Sequence, residues 1–558
     1  MGIRIVVIGG VAAGPKAAAR ARRLDPSAEI TIVEKDEILS YAGCALPYYV
    51  SGVVADRTQL VGSSSGIPRD AEYFADRKNI RVFNRTKATK VDRGAHEVEL
   101  QAIDSGETWR LPYDKLILAT GADPVDPPIP GKDLGNVWRL KRLEDADRFR
   151  EYLQGAICPK VVIVGGGLVG IEMAEALIAC GATVTVVEML PYVLPMVDAD
   201  MALLIQHHME EMGATIITSA RVERIEGDGQ GQVSRVVTTK GRFDADLVLL
   251  SVGIHPNVTL AEEAGLLIGP SGAIQANEYM QTSDPDIYAA GDCAEKLCSA
   301  RSSACFVPLG SVANKEGRVA GSHAVGYVDR FPGVQGTVAV KVFDWNVGRA
   351  GLGLEEAWQL GIPAVSAVVG PADRPHYYPG NQHTILKLVA NPADRRLIGI
   401  QGVGPGDVMK RVDVAITAMT AGMTVDQVAN LDLAYAPPYS EAIDGLLHGA
   451  NVLRNKLDGL LNGVTSADLQ ASREAGEDLV LVDVRTPEEH QEGNIPGSIL
   501  IPLDALRARV EEVPRDRRVV LYCRTSLRAW EASRILAGQG FTNVEILDGG
   551  FLAWPYLA

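Results

Sequence analysis

One local pattern occurs twice in this chain, and it restricts the fold more than any other feature. Residues 3–8 form a β-branched apolar run, followed by Gly9, Gly10 and Gly14, an Ala/Arg-rich helical stretch, and a second run at 30–33 closed by Glu34. Residues 161–164 repeat the plan with Gly165, Gly167 and Gly170, a helix through Cys180, and a run at 183–187 closed by Glu188. In Gly-x-Gly-x-x-Gly the first glycine permits a tight turn, the second lets backbone approach a pyrophosphate, and the third packs helix on strand. Amides at the helix N-terminus then face the phosphates. The spacing between the two copies is too long for a solenoid period, so each opens its own Rossmann-like dinucleotide-binding domain.

The second turn has all three glycines, and Glu188 is placed to accept from the adenosine ribose hydroxyls. Met189, Leu190 and Pro191 follow without a base, so NADH is favoured over NADPH. In the first turn Val11 replaces the middle glycine, but Gly9, Gly14 and Glu34 still suit a dinucleotide. Two such sites favour a flavin–nicotinamide pair, FAD with NADH. A strand at 116–118 runs into Ala119-Thr120-Gly121, and a Pro-rich segment at 124–130 reads as a crossover between domains. Gly291-Asp292 at a strand end suits an Asp that binds a polyol such as the ribityl chain of FAD.

The chain has 558 residues, which at about 150 per domain implies three or four. Its 54 Lys+Arg against 70 Asp+Glu give a charge of −16, which argues against a nucleic-acid or anionic-membrane binder. No apolar stretch is long enough for a membrane span. Seven cysteines, an odd number, argue against a disulfide-built secreted protein and for free thiols in the cytoplasm. From about residue 331 the strands at 338–343, 364–369 and 397–400 read as a mixed α+β domain. Residues 451–466 lose periodicity and read as a linker, and from about 467 strands alternate with helices as a small parallel α/β domain.

Ser40-Tyr41-Ala42-Gly43-Cys44-Ala45-Leu46-Pro47-Tyr48-Tyr49 follows the first βαβ unit's second strand. With the paired turns, Ala119-Thr120-Gly121 and Gly291-Asp292, residues 1–450 resemble the flavin-dependent pyridine nucleotide–disulfide oxidoreductases. Two-cysteine members carry their second Cys where this chain has Tyr49, so the resemblance is to the single-cysteine branch. Within it, Cys44-Ala45-Leu46-Pro47-Tyr48 and Ala434-Tyr435-Ala436-Pro437-Pro438 are similar to coenzyme A-disulfide reductases. That resemblance implies a redox-active Cys44 beside the flavin, coenzyme A as substrate or bound thiol, and a homodimer in which the partner supplies Tyr435. Tyr377, in His376-Tyr377-Tyr378-Pro379-Gly380, is the weaker candidate for the same role. A free Cys is otherwise a small hydrophobe, and a reactive one needs donors or positive charge to lower its pKa.

Lys16, Arg20 and Arg23 share one face of the helix that begins at the first turn. Such a stripe is either a solvated face or a site for a polyanionic thiol. The resemblance selects coenzyme A, with Ser40 and Lys78 as further contacts.

A second cysteine, Cys523, stands between an apolar strand and a helical stretch in Cys523-Arg524-Thr525-Ser526-Leu527-Arg528. Converging amides there stabilise an anion, and Arg524 and Arg528 add charge. The spacing is one residue shorter than the cysteine-phosphatase loop, favouring a sulfur-sized atom. With Asp483-Val484-Arg485 and Asn494-Ile495-Pro496-Gly497, residues 467–558 resemble a single-domain rhodanese, which carries sulfane sulfur on this Cys. Asp483 is expected to order the loop with Arg485. Cys293, Cys298 and Cys305 read as structural, since three Cys without a fourth ligand make no zinc site. His207-His208 reads as a solvated helix face, and His255 as part of a loop beside the nicotinamide domain.

The expected architecture is therefore α/β. A FAD domain spans 1–115 and 247–328, and an NAD(P)H domain 116–246. An α+β dimerisation domain follows at 329–450, then a linker at 451–466 and a rhodanese domain at 467–558. The expected activity is NADH-dependent reduction of persulfide, polysulfide or coenzyme A disulfide through Cys44, with Cys523 carrying sulfane sulfur and sulfide as product. Two alternatives stay open. One is an NADH peroxidase or oxidase cycling a Cys44 sulfenic acid, although relatives of that type carry His where Ala12 stands. The other is a redox sensor whose rhodanese domain docks partners.

Overall fold

Strands buried on both faces need uninterrupted apolar side chains, and Arg4–Ile8 supplies them: Ile5, Val6, Val7 and Ile8 are all buried. In a computed structural model, which describes residues 2–556, this strand is the middle of a parallel sheet. The order is Ile287–Ala289, Lys115–Leu118, Arg4–Ile8, Glu29–Val33, Arg81–Phe83. The helix Ala13–Leu24 packs on it and against the helix Gly310–His323. Side chains are excluded from that helix crossing. A Cβ at Gly317 would lie 2.3 Å from the Ala13 carbonyl, and one at Gly321 would lie 2.3 Å from that of Ala17.

A second parallel sheet carries Thr183–Val187, Lys160–Val164, Leu247–Leu250 and Val137–Trp138 side by side. Sheet membership corrects two expected boundaries. Residues 116–118 hydrogen-bond to Arg4–Ile8 and belong with the first sheet, whereas Leu247–Leu250 pairs with Lys160–Val164 and belongs with the second. Parallel partners come from far along the chain, so sequence proximity misassigned both. The chain crosses between the sheets at an antiparallel pair, Ala122–Pro124 with Ile254–Pro256. His255 is thus in a short strand rather than a loop.

The third sheet is antiparallel, ordered Val338–Val342, Trp345–Gly351, Leu397–Gly404, Ile385–Ala390, Val365–Val369. Helices Val408–Thr420 and Gly445–Leu457 pack with it into one core. The expected linker does not exist as such. Gly445–Leu457 runs through its first half with Leu453 fully buried, and Gly463–Val464 is an edge strand of the fourth sheet. That sheet is parallel: Gly463–Val464, Val544–Leu547, Arg518–Tyr522, Leu479–Asp483, Ile499–Leu500. Lys456, at the end of the same helix, pairs with the buried Asp548 and donates to the Ser366 carbonyl at 2.8 Å.

His208 also departs from expectation. It is buried, stacks on Trp345 at 4.4 Å between ring centroids, and lies 2.8 Å through Nε2 from Asp344. A flat imidazole matches an indole face, which a helix-periodicity argument does not see. Among the described residues no helix is long and apolar enough to cross a membrane.

Three charges are buried together behind the third sheet. Lys387 Nζ lies 2.9 Å from Asp198 and 2.8 Å from Asp200, and all three are nearly inaccessible. The two carboxylates push Lys387 up, and Lys387 holds Asp198 below the usual carboxylate range against the effect of burial. Lys387→Met strands two carboxylates without a counter-charge. Its thermal unfolding midpoint should fall by roughly 5 °C or more; an unchanged midpoint would show that the triad does not contribute.

Candidate active sites

Both glycine turns are closed by backbone contact. A Cβ at Gly9 would lie 2.0 Å from the Ala119 carbonyl, and one at Gly14 would lie 1.9 Å from that of Gly9. Gly165 and Gly170 repeat this against Ser251 and Gly165, at 2.2 and 2.1 Å. Gly167 differs, because a Cβ there would meet nothing within 4 Å. The fold therefore does not require glycine at the middle position, whereas a pyrophosphate lying against the backbone does. Glu34 is buried and accepts the Gly10 N–H at 2.6 Å and that of Asp36 at 2.9 Å; burial pushes its carboxyl up. Glu188 is buried directly after its strand and accepts the Leu190 N–H at 2.8 Å.

At the same edge of the first sheet, directly after Ile287–Ala289, Gly291 donates its N–H to Glu316 at 2.7 Å. Glu316 is fully buried, its second oxygen has no hydrogen-bond partner, and burial pushes it up to about 7 although Lys296 lies 3.6 Å away. An orphaned buried carboxylate oxygen beside Gly291-Asp292 fits a polar ligand there. Thr120 and Gly121 are clamped to Asn257. The Thr120 hydroxyl donates to its carbonyl at 2.7 Å, and the Asn257 N–H donates to the Gly121 carbonyl at 2.9 Å.

Cys44 lies in the turn Gly43–Ala45 that leads into Leu46–Val50. The residue is exposed but its sulfur is crowded: a Cβ at Gly310 would lie 3.5 Å from it. Desolvation pushes the thiol up, and Glu172 and Asp292 push it further. The Gly310 N–H, at the start of Gly310–His323, and Lys141 act the other way. Burial first, and then the two carboxylates, outweigh that amide and lysine, so the chain's own residues hold the Cys44 thiol above its usual value. Glu172, on the helix Leu168–Ala179, accepts from the Tyr48 hydroxyl at 3.3 Å and is pushed up by burial to about 6. The sequence reading missed Glu172, although it sits only two residues beyond Gly170 on that helix.

Part of the basic stripe is drawn together. Lys16 and Arg23 gather around Lys78 together with Arg69, and after burial these three like charges push Lys78 down. Arg69 comes from a separate loop and carried no sequence signal. Arg20 is drawn aside, donating to Ser322 at 2.9 Å and lying over the Tyr327 ring at 5.6 Å. Ser40 takes a left-handed conformation, φ 49°, and donates its N–H to the Gly10 carbonyl at 2.8 Å. Tyr377 and Tyr435 are both exposed and share a hydrogen bond, which is the main influence raising Tyr377.

The second cysteine, Cys523, is buried at the end of Arg518–Tyr522, ahead of the helix Leu527–Gly538. Its carbonyl accepts the Phe551 N–H at 2.8 Å. Arg528 donates twice to Glu489, both at 2.7 Å, and also interacts with the Cys523 sulfur; it holds Glu489 down to about 2. Asp483 acts at one remove. It accepts from Arg485 and sits 2.8 Å from His490 Nδ1, while the Arg485 guanidinium lies 4.2 Å over the Phe551 ring. Arg524 does not join Arg528, because its guanidinium lies 3.4 Å from His383 Nε2. Glu489 was missed, though Thr486 and Glu489 form a readable capping box.

Family models match three stretches: pyridine nucleotide-disulphide oxidoreductase over residues 3–314, its dimerisation domain over 337–446, and a rhodanese-like domain over 465–555. A solved structure of an NAD-dependent persulfide reductase from A. fulgidus is 44% identical, with TM-score 0.94, covering 99% of this chain and 100% of that one. An NAD(P)H sulfur oxidoreductase (CoA-dependent) of Pyrococcus abyssi is 37% identical, covering 81% of this chain and 98% of its own. An NADH oxidase of Methanocaldococcus jannaschii is 34% identical, covering 82% and 99%.

Because Glu172 raises the Cys44 thiol by charge repulsion, Glu172→Gln should lower it. Alkylation of Cys44 in the holoprotein at pH 7 should then quicken by roughly twofold or more, in proportion to the thiolate fraction. A slower or unchanged rate would contradict this reading of the site.

Proposed function

The chain belongs to the pyridine nucleotide-disulphide oxidoreductase family, and from that premise we propose that it is an FAD-dependent, NADH-oxidising reductase of sulfur–sulfur bonds. Its substrates are persulfide, polysulfide or coenzyme A disulfide. The observation that carries this reading is the pairing, in one chain, of Cys44, which has Tyr49 where a second redox Cys would stand, with a Cys523 loop that keeps Arg528 at its sulfur.

FAD, when bound, passes two electrons from NADH to the Cys44 centre. Gly9, Gly14, Glu34, Thr120, Gly121 and Asp292 would hold it; Gly165, Gly167, Gly170 and Glu188 would hold NADH. The exposed Met189 and Leu190 after Glu188 offer no cation for a 2′-phosphate. The Cys44 thiolate attacks a persulfide RS–SH, releasing HS⁻ and forming a mixed disulfide with RS. Two electrons and a proton then release RSH and restore the thiolate. Tyr48 and Glu172 keep that proton beside the sulfur, and Gly310 N–H stabilises its anion. Lys16, Arg23, Lys78 and Arg69 suit the phosphates of coenzyme A, with Arg20 and Ser40 at the margin.

Cys523 receives sulfane sulfur, with Arg528 at its sulfur, Asp483 ordering the surrounding turn and Arg524 at the mouth; coenzyme A is the shuttle thiol. The functional form is a homodimer in which Tyr435 and Tyr377 of one subunit serve the Cys44 centre of the other. Two exposed phenols joined by a hydrogen bond support this. Seven free cysteines suit a reducing compartment, the cytoplasm.

The test is anaerobic NADH oxidation by wild type, Cys44→Ser and Cys523→Ser with coenzyme A persulfide, polysulfide, coenzyme A disulfide and hydrogen peroxide. Cys44→Ser should lose persulfide turnover by about 100-fold or more, a transition-state loss near 2.7 kcal/mol. Cys523→Ser should keep coenzyme A disulfide reduction. Undiminished persulfide turnover in Cys44→Ser would overturn the proposal, and peroxide as best substrate would put peroxidase chemistry in its place.

A further inference from the structure

The hairpin Lys296–Cys298 with Ser303–Cys305 joins two segments that bear on Cys44. On one side Lys296 Nζ donates to the Gly291 and Ala294 carbonyls, both at 2.6 Å. On the other, Cys305 leads within a few residues to Gly310, whose N–H meets the Cys44 sulfur. The register pairs Lys296 with Cys305 and Cys298 with Ser303. Strand alternation therefore puts Cys298 and Cys305 on one face and Leu297 and Ala304 on the other.

Burial agrees: Cys298 and Cys305 sit in the core cluster of the first sheet, while Leu297 and Ala304 are exposed. Ser299, Arg301, Ser302 and Ser303 at the tip are also exposed, so the thiols lie just under an open turn. The two sulfurs share a hydrogen bond. The Cys298 sulfur also accepts from the Arg301 and Ala300 N–H groups and faces the Arg301 charge. The bond from Cys305, the turn amides and the Arg301 charge hold Cys298 down to about 6, while that same bond and burial push Cys305 up, so the shared proton stays on Cys305. A thiolate beside a thiol is the arrangement in which an attacking sulfur has its resolving partner in reach.

We infer that Cys298 and Cys305 are a second redox-active dithiol, oxidised to a disulfide across the hairpin by sulfane-sulfur compounds. The inference rests on the proposed reductase activity for its oxidant class. The Cys298 thiolate takes the outer sulfur of RS–SH, forming a Cys298 persulfide and releasing RS⁻. The Cys305 sulfur then attacks the inner sulfur, forming the disulfide and releasing HS⁻ while its proton passes to solvent. In sum, two thiols and RS–SH give one disulfide, RSH and H₂S, the two electrons from the thiols reducing the sulfane sulfur. Closing the bond fixes the strand that leads to Gly310 and so alters the donor on Cys44, which makes the dithiol a brake set by excess sulfane sulfur.

The FAD-loaded full chain is treated anaerobically with inorganic polysulfide, alkylated and digested with trypsin. Residues 297–301 should appear linked to residues 302–315 in wild type and in Cys44→Ser, and separate after dithiol reduction. The linkage should be absent in Cys298→Ser. Cys44 in the linked protein should alkylate at least about threefold faster or slower than in the reduced protein, with no such change in Cys298→Ser. Complete alkylation of Cys298 and Cys305 after polysulfide would overturn the inference, as would linkage by hydrogen peroxide but not by polysulfide, or linkage without effect on Cys44. Mapping the unsubstituted protein decides even if a variant fails to fold. Peptide linkage needs no turnover, so a failure of the reductase proposal shows separately, as absent persulfide-dependent NADH oxidation.

Discussion

Backbone lies against backbone where Ala13–Leu24 meets Gly310–His323, and the setting of Cys44 hangs on that contact. Gly317 and Gly321 admit the Ala13 and Ala17 carbonyls at distances no side chain tolerates. One helix begins at the glycine turn; the other begins at Gly310, the amide that meets the Cys44 sulfur. Their close approach fixes the distance from the first glycine turn to the Cys44 sulfur. It also explains why the core here is built of alanine and glycine rather than larger side chains, since dispersion contact and short helix separation replace apolar volume.

The two sulfur centres solve opposite electrostatic problems. Around Cys44, burial and two carboxylates hold the proton on, and the chain supplies only an amide and one lysine against them. At Cys523 a guanidinium reaches the sulfur, but a bidentate carboxylate shares that charge. Neither centre is a bare cationic trap for anions: carboxylates prevail at Cys44, and Glu489 shares the guanidinium charge at Cys523. An oxidoreductase that binds FAD and NAD(P)H can tune the first centre through its cofactors, and the second relies on its loop alone.

Legibility in the sequence followed how local each requirement is. The glycine turns were readable because turn geometry and backbone approach act over a few residues, and Cys44 and Cys523 because each sits in a compact motif. Residues 116–118 and 247–250 were placed in the wrong sheets because parallel pairing is decided by partners far along the chain. The supposed linker failed for the same reason: Leu453 is a core residue packed with a sheet formed upstream. Arg69, brought to Lys78 from its own loop, was invisible; Arg20, on the correct helix face, was claimed by Ser322. The −16 average likewise concealed a cluster of four cations.

The central claim is that electrons from NADH leave through Cys44 into a sulfur–sulfur bond. The most direct measurement is the ratio of sulfide released to NADH consumed, under anaerobic conditions with coenzyme A persulfide as sole acceptor. Wild type should release one sulfide per NADH, and Cys44→Ser should show neither sulfide release nor NADH consumption above background. NADH consumed without matching sulfide, or an equal ratio and rate in Cys44→Ser, would contradict it.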